Sequence, residues 1–518
     1  MTKTKILWVD DEIDLLKPHV MFLEHKGFLV ETANNGAEAL EMIQESMYDV
    51  VLLDENMPGL SGLEVLTKMN ETNPTLPVVM ITKSEEEHIM NDALGSNIFD
   101  YLIKPVNPNQ ILLSLKKIVE NKELIRKKQL LTYQQNFRTI SMDIMNASTM
   151  QEWMDIYKKL TYWDIELDKI SDENIGQIIQ EQKDEANRSF CKFYSKNYID
   201  WLQPECENRP EMSHTILKNK LIHNISSDSP TFLIVIDNLR YDQWKVLEPV
   251  LSNYFRVEED SLYCAILPTA THYARNALFA GMLPSEIKKK YPEYWVEESS
   301  EENKNQHESS LFAENLKRYG KNVKFHYAKV LNQEFGKKMV DNLNQYLHHP
   351  INVVIFNFID MLSHARTDVE IVRELAPDES AYRSVTVSWF EHSPLFDLLK
   401  KLAEKNVSVV ITADHGSIRV NNPVRIMGDK STNSNLRYKV GKTLGGFNPK
   451  EVFEIQNPAK AFLPQENLSS TFVFCRSNDF FAYPNNYNYY VNYYKNTFQH
   501  GGISMEEVLI PYIKLKPR

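Results

Sequence analysis

The stretch VSVVITADHG, residues 407–416, joins an apolar run to Asp414 and His415. Its β-branched residues predict a buried strand, and the two polar side chains follow where that strand ends. Two other apolar runs end in an aspartate in the same way: TFLIVID in Asp237 and NVVIFNFID in Asp360. Because amphipathic stretches separate these runs, we predict an α/β sheet whose ligands bind at the carboxyl ends of its strands. The three aspartates are therefore expected to converge.

Histidines extend this group of aspartates. His364 follows Asp360 by four residues and shares its face if the chain turns helical after the strand, and His500 lies in the later segment FQHGGIS. Three aspartates and three histidines are enough for two borderline metal ions, and the mixture favours Zn²⁺ over cations that prefer oxygen ligands alone. A single Asp is more often a helix cap and a single His a structural residue, so the prediction rests on the combination. His272 and His392 fit no ligand position, and we predict structural roles for both.

A nucleophile for phosphate chemistry is available in the segment LPTATHYARNALFAGMLPS, residues 267–285. It places Thr269 and Thr271 in a turn that leads into a helical stretch, whose free amide groups suit a phosphate. A threonine hydroxyl is inert at neutral pH unless it is deprotonated, which a bound metal can achieve. Two metal ions about 3.5–4 Å apart stabilise the attacking and leaving oxygens of an in-line displacement. We therefore predict hydrolysis of phosphate or sulfate esters through a covalent threonine adduct, with a pseudoenzyme as the alternative.

The first 120 residues contain a separate α/β pattern with its own strand-end carboxylates. Asp10 and Asp11 follow the run KILWV, and Asp54 follows YDVVLL. Such a cluster repels itself unless a hard divalent cation with oxygen ligands neutralises it, and Mg²⁺ is the usual choice. Thr82 and Lys104, at two further strand ends, suit hydrogen bonding and charge neutralisation of a phosphoryl group. These residues predict phosphorylation of Asp54.

Composition and patterning suggest two connecting regions and a reducing compartment. Residues 121–203 contain one glycine, no proline and apolar residues at three- and four-residue intervals, which predicts a helical connecting domain. Residues 204–230 are predicted to be a linker because of their prolines and polar end. The four scattered cysteines give no disulfide framework, and no apolar run has the length of a signal peptide or membrane span. We predict a cytoplasmic protein with no membrane span.

Charge is distributed unevenly along the chain. Residues 1–120 have nine Lys, no Arg and 20 Asp or Glu, so they carry nearly all of the formal charge of −12. The nearly neutral remainder therefore does not exclude a polyanionic substrate. Residues 416–445 contain six basic residues and a single acidic one. The stretch is either a solvated loop or a clamp for a substrate phosphate, and in the second case the contacts would be Arg419, Arg425 and Arg437. Tyrosines between residues 483 and 494 are predicted mainly to pack in the core, with base stacking as the alternative.

The motifs of residues 1–120 resemble those of the receiver domain of bacterial response regulators. The matching segments are WVDDE, LLDENMPG, MITKS and YLIKP. The resemblance implies a flavodoxin-like fold with a five-stranded parallel sheet, a cis Lys104-Pro105 bond and a partner histidine kinase that phosphorylates Asp54. It further implies that Asp10, Asp11, Asp54 and the carbonyl of Asn56 hold Mg²⁺, and that Thr82 and Tyr101 form the switch. Glu55 departs from the pattern, in which a hydrophobic residue commonly follows the acceptor.

Residues 231–518 are similar to the PglZ branch of the alkaline phosphatase superfamily. The segments IDNLRYDQW, PTATHYARNALFAG, DMLSHAR, TADHG and HGGIS occur in its order, and the whole chain resembles the receiver–PglZ regulators of type IX protein secretion in Bacteroidetes. The resemblance implies an α/β domain with one zinc held by Asp360, His364 and His500. It implies a second zinc held by Asp237, Thr271, Asp414 and His415, with Thr271 as nucleophile. Phosphodiesterase action on nucleotides or on cyclic or linear oligonucleotides, and a phosphorylation-promoted homodimer, are also implied.

Two other functions compete with a phosphorylation-controlled phosphodiesterase. The first is a phosphorylation-switched adaptor, which binds a sigma factor or a component of the secretion machinery and keeps the metal domain as a scaffold. A regulator that binds DNA directly would need a basic recognition helix, and no compact candidate follows the receiver segment. A phosphate-binding GxxxxGK[ST] loop is also missing from the sequence, which disfavours an ATPase output.

Overall fold

The computed structural model describes residues 3–73, 76–83, 98–170, 173–226, 229–429, 432–465, 467 and 469–518. The chain divides into two compact units, residues 1–134 and 135–518. Among the described residues, no helix is long and apolar enough to cross a membrane. All four cysteines are free thiols.

The first unit contains a five-stranded parallel sheet, as the sequence predicts. Its strands are β1 (Lys5–Val9), β2 (Leu29–Ala33), β3 (Val50–Asp54), β4 (Val78–Thr82) and β5 (Ile98–Ile103), in the order β2-β1-β3-β4-β5. Its described helices are α1 (Lys17–His25), α2 (Gly36–Glu45), α3 (Gly62–Thr72) and α4 (Pro108–Asn146). Successive side chains of β1 enter two different hydrophobic clusters, because a strand buried on both faces sends alternate residues to opposite sides. The strand-end side chains are thereby fixed at one edge of the sheet.

The predicted boundary at residue 120 lies inside a helix. Helix α4 is continuous from Pro108 to Asn146, so a single helix begins in the first unit and ends in the second. Two more helices of the predicted helical region follow, α5 (Met150–Asp168) and α6 (Glu173–Leu202). Helix α5 begins with a capping box, in which Thr149 and Glu152 satisfy each other's backbone amides.

Helices α5 and α6 are part of the core of the second unit. Cys191 donates to the carbonyl of Ile503 at 3.0 Å, and Asn187 donates to Glu506 at 2.9 Å. A buried ion network adds a polar contact, in which Arg383 donates to Asp164 and also to Asp242, both at 3.0 Å. Because such groups are costly to bury without their partners, this network fixes the helices against the rest of the unit.

Residues 204–230 differ from the linker that we predicted. They include the short helix α7 (Ser213–Ile216), followed by a π-helical turn over Leu217–Leu221 and a 3₁₀ turn over Ile222–Asn224. Met212, Leu217 and Ile222 are at most 1% exposed. Prolines and polar residues suggested a linker, but these regularly placed apolar side chains are covered by neighbouring elements and make the segment part of the fold.

The main sheet of the second unit has six strands in the order β7-β18-β10-β6-β9-β8. These strands are β6 (Thr231–Ile236), β7 (Phe255–Cys264), β8 (Phe325–Val330), β9 (Ile351–Phe356), β10 (Ser408–Thr412) and β18 (Leu509–Pro517). The three strands predicted from the sequence, β6, β9 and β10, are parallel neighbours. Strand β18 pairs antiparallel with both β10 and β7. The last described strand is therefore an interior strand of the sheet, paired on both sides.

Smaller sheets and helices surround this main sheet. The remaining strands are β11 (Ile418–Arg419), β12 (Asn422–Arg425), β13 (Tyr438–Gly441), β14 (Val452–Ile455), β15 (Thr471–Cys475), β16 (Asp479–Ala482) and β17 (Phe498–Gln499). They form the pairs β11-β17 and β12-β16 and the three-stranded sheet β13-β15-β14. The remaining helices are α8 (Tyr241–Leu251), α9 (Thr271–Ala280), α10 (Pro284–Lys290), α11 (Glu308–Arg318), α12 (Gln333–Asp341), α13 (Leu343–Tyr346), α14 (Phe358–Asp368), α15 (Glu370–Leu375), α16 (Glu379–Glu391), α17 (Pro394–Glu404), α18 (Tyr487–Tyr494) and α19 (Met505–Val508).

Candidate functional site

Three parallel strands deliver the carboxylates of the second unit to one edge of the sheet. Asp237 follows β6 directly, Asp414 lies two residues beyond the end of β10, and Asp360 lies in the first turn of α14, just after β9. Asn238, next to Asp237, has a φ of 66° and donates its backbone amide to Asp414 at 3.4 Å. The left-handed turn at this asparagine thus holds two of the strand ends together.

Asp237, Asp414 and His415 form a buried cluster whose ligand atoms all lie within 4.8 Å of one another. Nε2 of His415 is 3.7 Å from Oδ1 of Asp237 and 3.7 Å from Oδ2 of Asp414. The sequence predicted this convergence from the shared strand-end position of the residues.

Thr271 reaches this cluster from the beginning of helix α9. Its Oγ1 lies 3.0 Å from Nε2 of His415 and 3.4 Å from Oδ1 of Asp237. The other threonine of the turn has a different role, because Thr269 donates to the carbonyl of Gly502 at 2.8 Å and accepts from the amide of Gly501 at 3.1 Å. The hydroxyl of Thr271 therefore belongs to the buried cluster, whereas Thr269 holds the loop that follows His500.

The second cluster consists of Asp360, His364 and His500, again with ligand atoms within 4.8 Å of one another. Oδ2 of Asp360 is 3.6 Å from Nε2 of His364, and Oδ1 is 3.6 Å from Nε2 of His500. The other ring nitrogen of His500, Nδ1, lies 3.2 Å from the carbonyl of Thr269, which leaves Nε2 for a ligand. The His364 side chain is 62% exposed, so this cluster marks the open side of the site.

The two clusters are neighbours. The rings of His415 and His500 stack with their centroids 4.3 Å apart. Asn238 donates to Asp360 at 3.5 Å through its side chain and to Asp414 through its backbone. All seven residues of the predicted zinc set thus lie around one continuous site.

The charges of the site are unevenly compensated. Burial, together with the negative charges of Asp237 and Asp414, raises the pKa of Asp360 to about 7. Burial and the charge of Asp237 likewise raise the pKa of Asp414. Burial alone would also raise the pKa of Asp237, but the charge of Arg275 lowers it below its usual value. The pKa of His500 lies well below its ordinary value because the ring is buried beside two other histidines.

The arrangement fits two borderline cations. Within the described part of the chain, Oδ2 of Asp414 is buried and has no hydrogen-bond partner, although a carboxylate oxygen removed from water needs one. Carboxylate oxygens and imidazole nitrogens supply a mixed donor set of the kind that zinc prefers. The assignment rests on the identity and convergence of these donors.

Arg275 is a residue of the site that sequence reasoning missed. It follows Thr271 by four residues on α9, donates to Asp237 at 2.6 Å through Nη1 and to Glu308 at 2.6 Å through Nε. Both acids are nearly or fully buried, so the guanidinium orients Asp237 by a charge-assisted hydrogen bond. The four-residue spacing on a helix could have shown that Arg275 lies on the same face as Thr271. Its contact with Glu308, which is 33 residues away, leaves no sign in the sequence.

The basic stretch between residues 416 and 445 does not form a single clamp. The clamp alternative included Arg437 as a contact to a substrate phosphate. Its side chain is instead fully buried and donates to both oxygens of Glu507, at 3.0 and 2.6 Å. Glu507 in turn accepts from the amide of Gly502 at 2.9 Å, so the pair supports the loop that contains His500. Arg419 is half-buried and Arg425 is exposed, whereas Lys430 lies outside the described residues.

His272 and His392, for which the sequence predicted structural roles, have the environments of structural residues. His272 lies 3.0 Å from Glu298 through Nδ1 and 2.9 Å from the carbonyl of Val296 through Nε2. His392 lies 2.8 Å from the carbonyl of Ser388 at the end of α16. Neither belongs to a metal-binding cluster of the described residues.

In the first unit, Asp10, Asp11 and Asp54 form a third cluster within 4.8 Å. Asp10 and Asp54 are buried, whereas Asp11 is exposed. Lys104 donates to Asp54 at 2.8 Å and to Asp10 at 3.0 Å. Burial raises the pKa of Asp54, and Lys104 acts in the opposite direction. One lysine therefore bridges the two buried carboxylates where a phosphoryl group would be received.

Other predicted receiver residues surround this cluster. The Lys104-Pro105 bond is cis, as the resemblance implied. Thr82 is buried at the end of β4, and Tyr101 is half-buried on β5. Asn56 is exposed, and its backbone hydrogen bond lowers the pKa of Asp54. A side chain at Gly62 would come within 2.4 Å of the Asp54 carbonyl, so only glycine permits this close approach of α3 to the acceptor.

Comparison with protein families matches three successive regions of the chain. Residues 6–116 match the response regulator receiver domain, residues 123–202 the PorX response regulator linker domain, and residues 217–515 the BREX system PglZ alkaline phosphatase-like domain. The last region is more than half of the 518 residues. The predicted succession of a receiver, a helical region and an α/β domain like alkaline phosphatase is confirmed.

Curated proteins are similar to the chain in its receiver region. The transcriptional regulatory protein ResD of Bacillus subtilis is 36% identical over 117 residues, which are 23% of this chain and 48% of ResD. The transcriptional regulatory protein SrrA of Staphylococcus aureus is 36% identical over 115 residues, which are 22% of this chain and 47% of SrrA. The chain therefore spans about half the length of the curated relatives it matches.

Solved structures of receiver domains also match. A CheY-like receiver domain protein from Methanospirillum hungatei is 30% identical, with a TM-score of 0.22 over 24% of this chain and 98% of that one. The response regulator TrrA from Thermotoga maritima, solved in complex with Mg²⁺ and BeF, is 30% identical, with a TM-score of 0.21 over 22% of this chain and 98% of that one.

The buried position of Arg437 gives a stability prediction. We expect Arg437→Met to lower the free energy of unfolding of the second unit by about 3–5 kcal/mol, because it leaves the buried charge of Glu507 unpaired. The double variant Arg437→Met/Glu507→Gln should recover part of this loss. Exposed Arg425→Met is the matched control, with a change within about 0.5 kcal/mol. Urea unfolding measures all three variants. Wild-type stability of Arg437→Met, combined with a raised KM for phosphoesters, would restore the substrate-contact interpretation.

Proposed function

The chain belongs to the PglZ family of alkaline phosphatase-like domains and is a PorX-like two-component response regulator, and we propose that its output domain is a zinc-dependent phosphodiesterase. Its proposed substrates are nucleotides or cyclic or linear oligonucleotides. The observation that carries the proposal is the position of Thr271. Its hydroxyl lies within 3.4 Å of both His415 and Asp237, which belong to one of two neighbouring clusters of candidate metal ligands.

We assign the metal ligands by cluster. Asp237, Thr271, Asp414 and His415 would hold one zinc ion, and Asp360, His364 and His500 would hold the other. Bound zinc would supply Lewis-acid stabilisation of phosphate oxygens and would lower the pKa of the threonine hydroxyl. Arg275 orients Asp237 for this role, and the Thr269 carbonyl orients the ring of His500.

Thr271 is the proposed nucleophile. Its Oγ1 forms a bond to the phosphorus of the diester while the bond from phosphorus to the leaving alcohol oxygen breaks, and the proton that Thr271 loses departs with the alcohol. Water then attacks the phosphorus of the threonine adduct and the bond from phosphorus to Oγ1 breaks. The water oxygen and one of its protons leave with the phosphomonoester, and its other proton restores the Thr271 hydroxyl. A substrate phosphate bound at Thr271, the first residue of α9, would lie near backbone amides that have no partner within the helix.

The receiver supplies the control. A sensor histidine kinase is the proposed donor, and a carboxylate oxygen of Asp54 takes the phosphoryl group from the kinase histidine. Asp10, Asp11, Asp54 and the Asn56 carbonyl would hold the Mg²⁺ that neutralises the cluster, and Lys104 compensates the charge of the phosphoryl group. Thr82 and Tyr101 are the proposed switch residues, and the proposed response is homodimerisation that regulates type IX secretion.

Loss of the nucleophile tests the catalytic part of the proposal. Zinc-loaded wild-type protein should hydrolyse bis(p-nitrophenyl) phosphate, and Thr271→Ala should lower kcat by about 10³-fold or more because the hydroxyl that attacks phosphorus is gone. Thr271→Ser is the matched control, since it keeps a hydroxyl at the same position and should retain most of the activity. Equal rates for wild type and Thr271→Ala would exclude the threonine mechanism.

Phosphate mimicry tests the receiver. Beryllofluoride with Mg²⁺ should convert the wild-type chain from monomer to dimer in sedimentation velocity, because it occupies the position of the phosphoryl group on Asp54. Asp54→Asn should remain monomeric under the same conditions, and Glu55→Gln should behave like wild type. The same dimerisation in Asp54→Asn would show that Asp54 is not the acceptor.

The adaptor alternative predicts a different combination of results. If zinc-loaded protein hydrolyses no phosphoester, while Asp54-dependent binding to a sigma factor or a secretion component persists, the metal domain acts as a scaffold. That result would refute the phosphodiesterase and leave the receiver assignment intact.

A further inference from the structure

Helix α18, Tyr487–Tyr494, lies in a part of the chain without acidic residues. Residues 480–505 contain six tyrosines, five asparagines and no Asp or Glu. This segment also includes His500, a member of the second metal-binding cluster. Its composition combines aromatic faces with neutral amides and lacks groups that would repel an anion.

The helix has one face in the core and one face in solvent. Tyr487, Val491 and Tyr494 pack against a hydrophobic cluster. Tyr489 is 64% exposed and Tyr490 is 40% exposed. The sequence predicted core packing for most of these tyrosines, and the exposure of Tyr489 and Tyr490 leaves the base-stacking alternative open for these two.

The tyrosines are already arranged as stacked pairs. The rings of Tyr489 and Tyr493 have centroids 6.1 Å apart and planes inclined by 15°, and those of Tyr490 and Tyr494 are 6.2 Å apart and inclined by 11°. The spacing of four residues on a helix produces both pairs. The exposed ring at the outer end of each pair, Tyr489 or Tyr490, thus offers an aromatic face held in place by the ring below.

Two guanidinium groups lie over other tyrosine rings of the same helix. Arg373 lies over the ring of Tyr493 at 5.6 Å, and Arg425 lies over the ring of Tyr487 at 4.9 Å. Arg366 and Arg419 both donate to the carbonyl of Pro377, each at 2.9 Å, so they are neighbours. Arg373 donates to the carbonyl of Thr367 at 2.6 Å, which joins it to the same group. Positive charge and aromatic rings therefore occur together on this side of the domain.

This surface is continuous with the metal-binding site. Arg366, two residues after His364 on α14, is 1% exposed and packs over Phe498 with its guanidinium 4.8 Å from the ring, so it supports this side of the domain from within. Gln499, next to His500, donates to Thr367 of the same helix at 3.3 Å. The exposed His364 side chain is on the open side of the site. The half-buried Arg419 of β11 pairs with Phe498 of β17, two residues before His500, so one arginine of the group adjoins the strand that leads to the site.

We propose that α18 is a base-stacking platform for a single-stranded nucleic acid whose scissile phosphodiester lies at the metal-binding site. Tyr489 and Tyr490 stack on unpaired bases, while Arg373 and Arg425 contact the adjoining phosphates. Duplex nucleic acid does not fit this mode, since its bases are stacked on one another and paired. The proposal rests on the proposed function for its substrate, but it concerns how that substrate is bound.

Binding without turnover gives a direct test. Zinc-loaded Thr271→Ala chain is titrated into fluorescein-labelled oligothymidylate and oligouridylate, and Kd is measured by fluorescence anisotropy. Adding Tyr489→Ala or Tyr490→Ala should weaken binding by about 5- to 150-fold for each stacked base that is lost. Tyr489→Phe, which keeps the ring, should bind like the parent. Tyr162→Ala, an exposed tyrosine of α5, is the matched control and should change nothing.

The two nucleic acids and a duplex distinguish the ligand. Tighter binding of oligouridylate or of oligothymidylate identifies RNA or DNA as the source, and either result supports the platform. A duplex bound as tightly as the single strands overturns it. Arg373→Gln and Arg425→Gln should each reduce the dependence of log Kd on log salt concentration, as expected for lost phosphate contacts.

Kinetics separate this proposal from the proposed function. In otherwise wild-type protein, Tyr489→Ala should lower the ratio of kcat/KM for oligothymidylate to kcat/KM for bis(p-nitrophenyl) phosphate. If the wild type hydrolyses neither substrate, the phosphodiesterase is refuted. The oligonucleotide affinities measured by fluorescence anisotropy would still decide whether α18 is a base-stacking platform. Hydrolysis with unchanged oligonucleotide binding in both tyrosine variants refutes the platform alone. If these variants instead abolish a dimer in sedimentation and bind oligonucleotide normally, the face is a contact between copies of the chain and the proposal fails.

Discussion

Repulsion between clustered carboxylates is the constraint on which both sites depend. Parallel strands end at a common edge, so the fold that positions Asp10 beside Asp54, and Asp237 beside Asp414, also forces like charges together. In the receiver, one lysine bridges the two buried carboxylates, and the exposed third one leaves room for a hydrated hard cation. In the output domain, the guanidinium of Arg275 hydrogen-bonds to one carboxylate of three, and histidines complete a donor set for borderline cations.

Support for the output site comes from residues that do not contact a substrate. Arg437 and Glu507 form a buried pair that binds the amide of Gly502 and so fixes the loop of His500. A Cβ at Gly502 would lie 2.8 Å from the Arg437 guanidinium, which explains the glycine at this position. Helix α6 reaches the same region, since Cys191 donates to the carbonyl of Ile503. The helical region is thus in direct contact with the loop that contains His500.

The sequence predicted the convergence of the candidate ligands because strand ends and a helical spacing of four are local patterns. Asp414, His415 and the Asp360–His364 pair can be found from such patterns alone. Long-range partners cannot: the role of Arg437 depends on Glu507, 70 residues away, and that of Arg275 on Glu308, 33 residues away. Residues 204–230 appeared to be a linker because their prolines and polar residues are visible in the sequence, whereas the surfaces that cover their apolar side chains are not. For the tyrosines of α18, the spacing along the sequence divides them between two faces of the helix, but it does not show which face packs against the core.

Metal content tests the central claim most directly. Protein purified without chelators should contain about two zinc ions per chain by inductively coupled plasma mass spectrometry. His364→Ala should retain about one, because the cluster of Asp237, Asp414 and His415 remains complete. His392→Ala should retain both, because its ring lies outside the clusters. Protein that binds no transition metal after dialysis against zinc, or that loses no zinc in His364→Ala, would contradict the two-cation account of the output site.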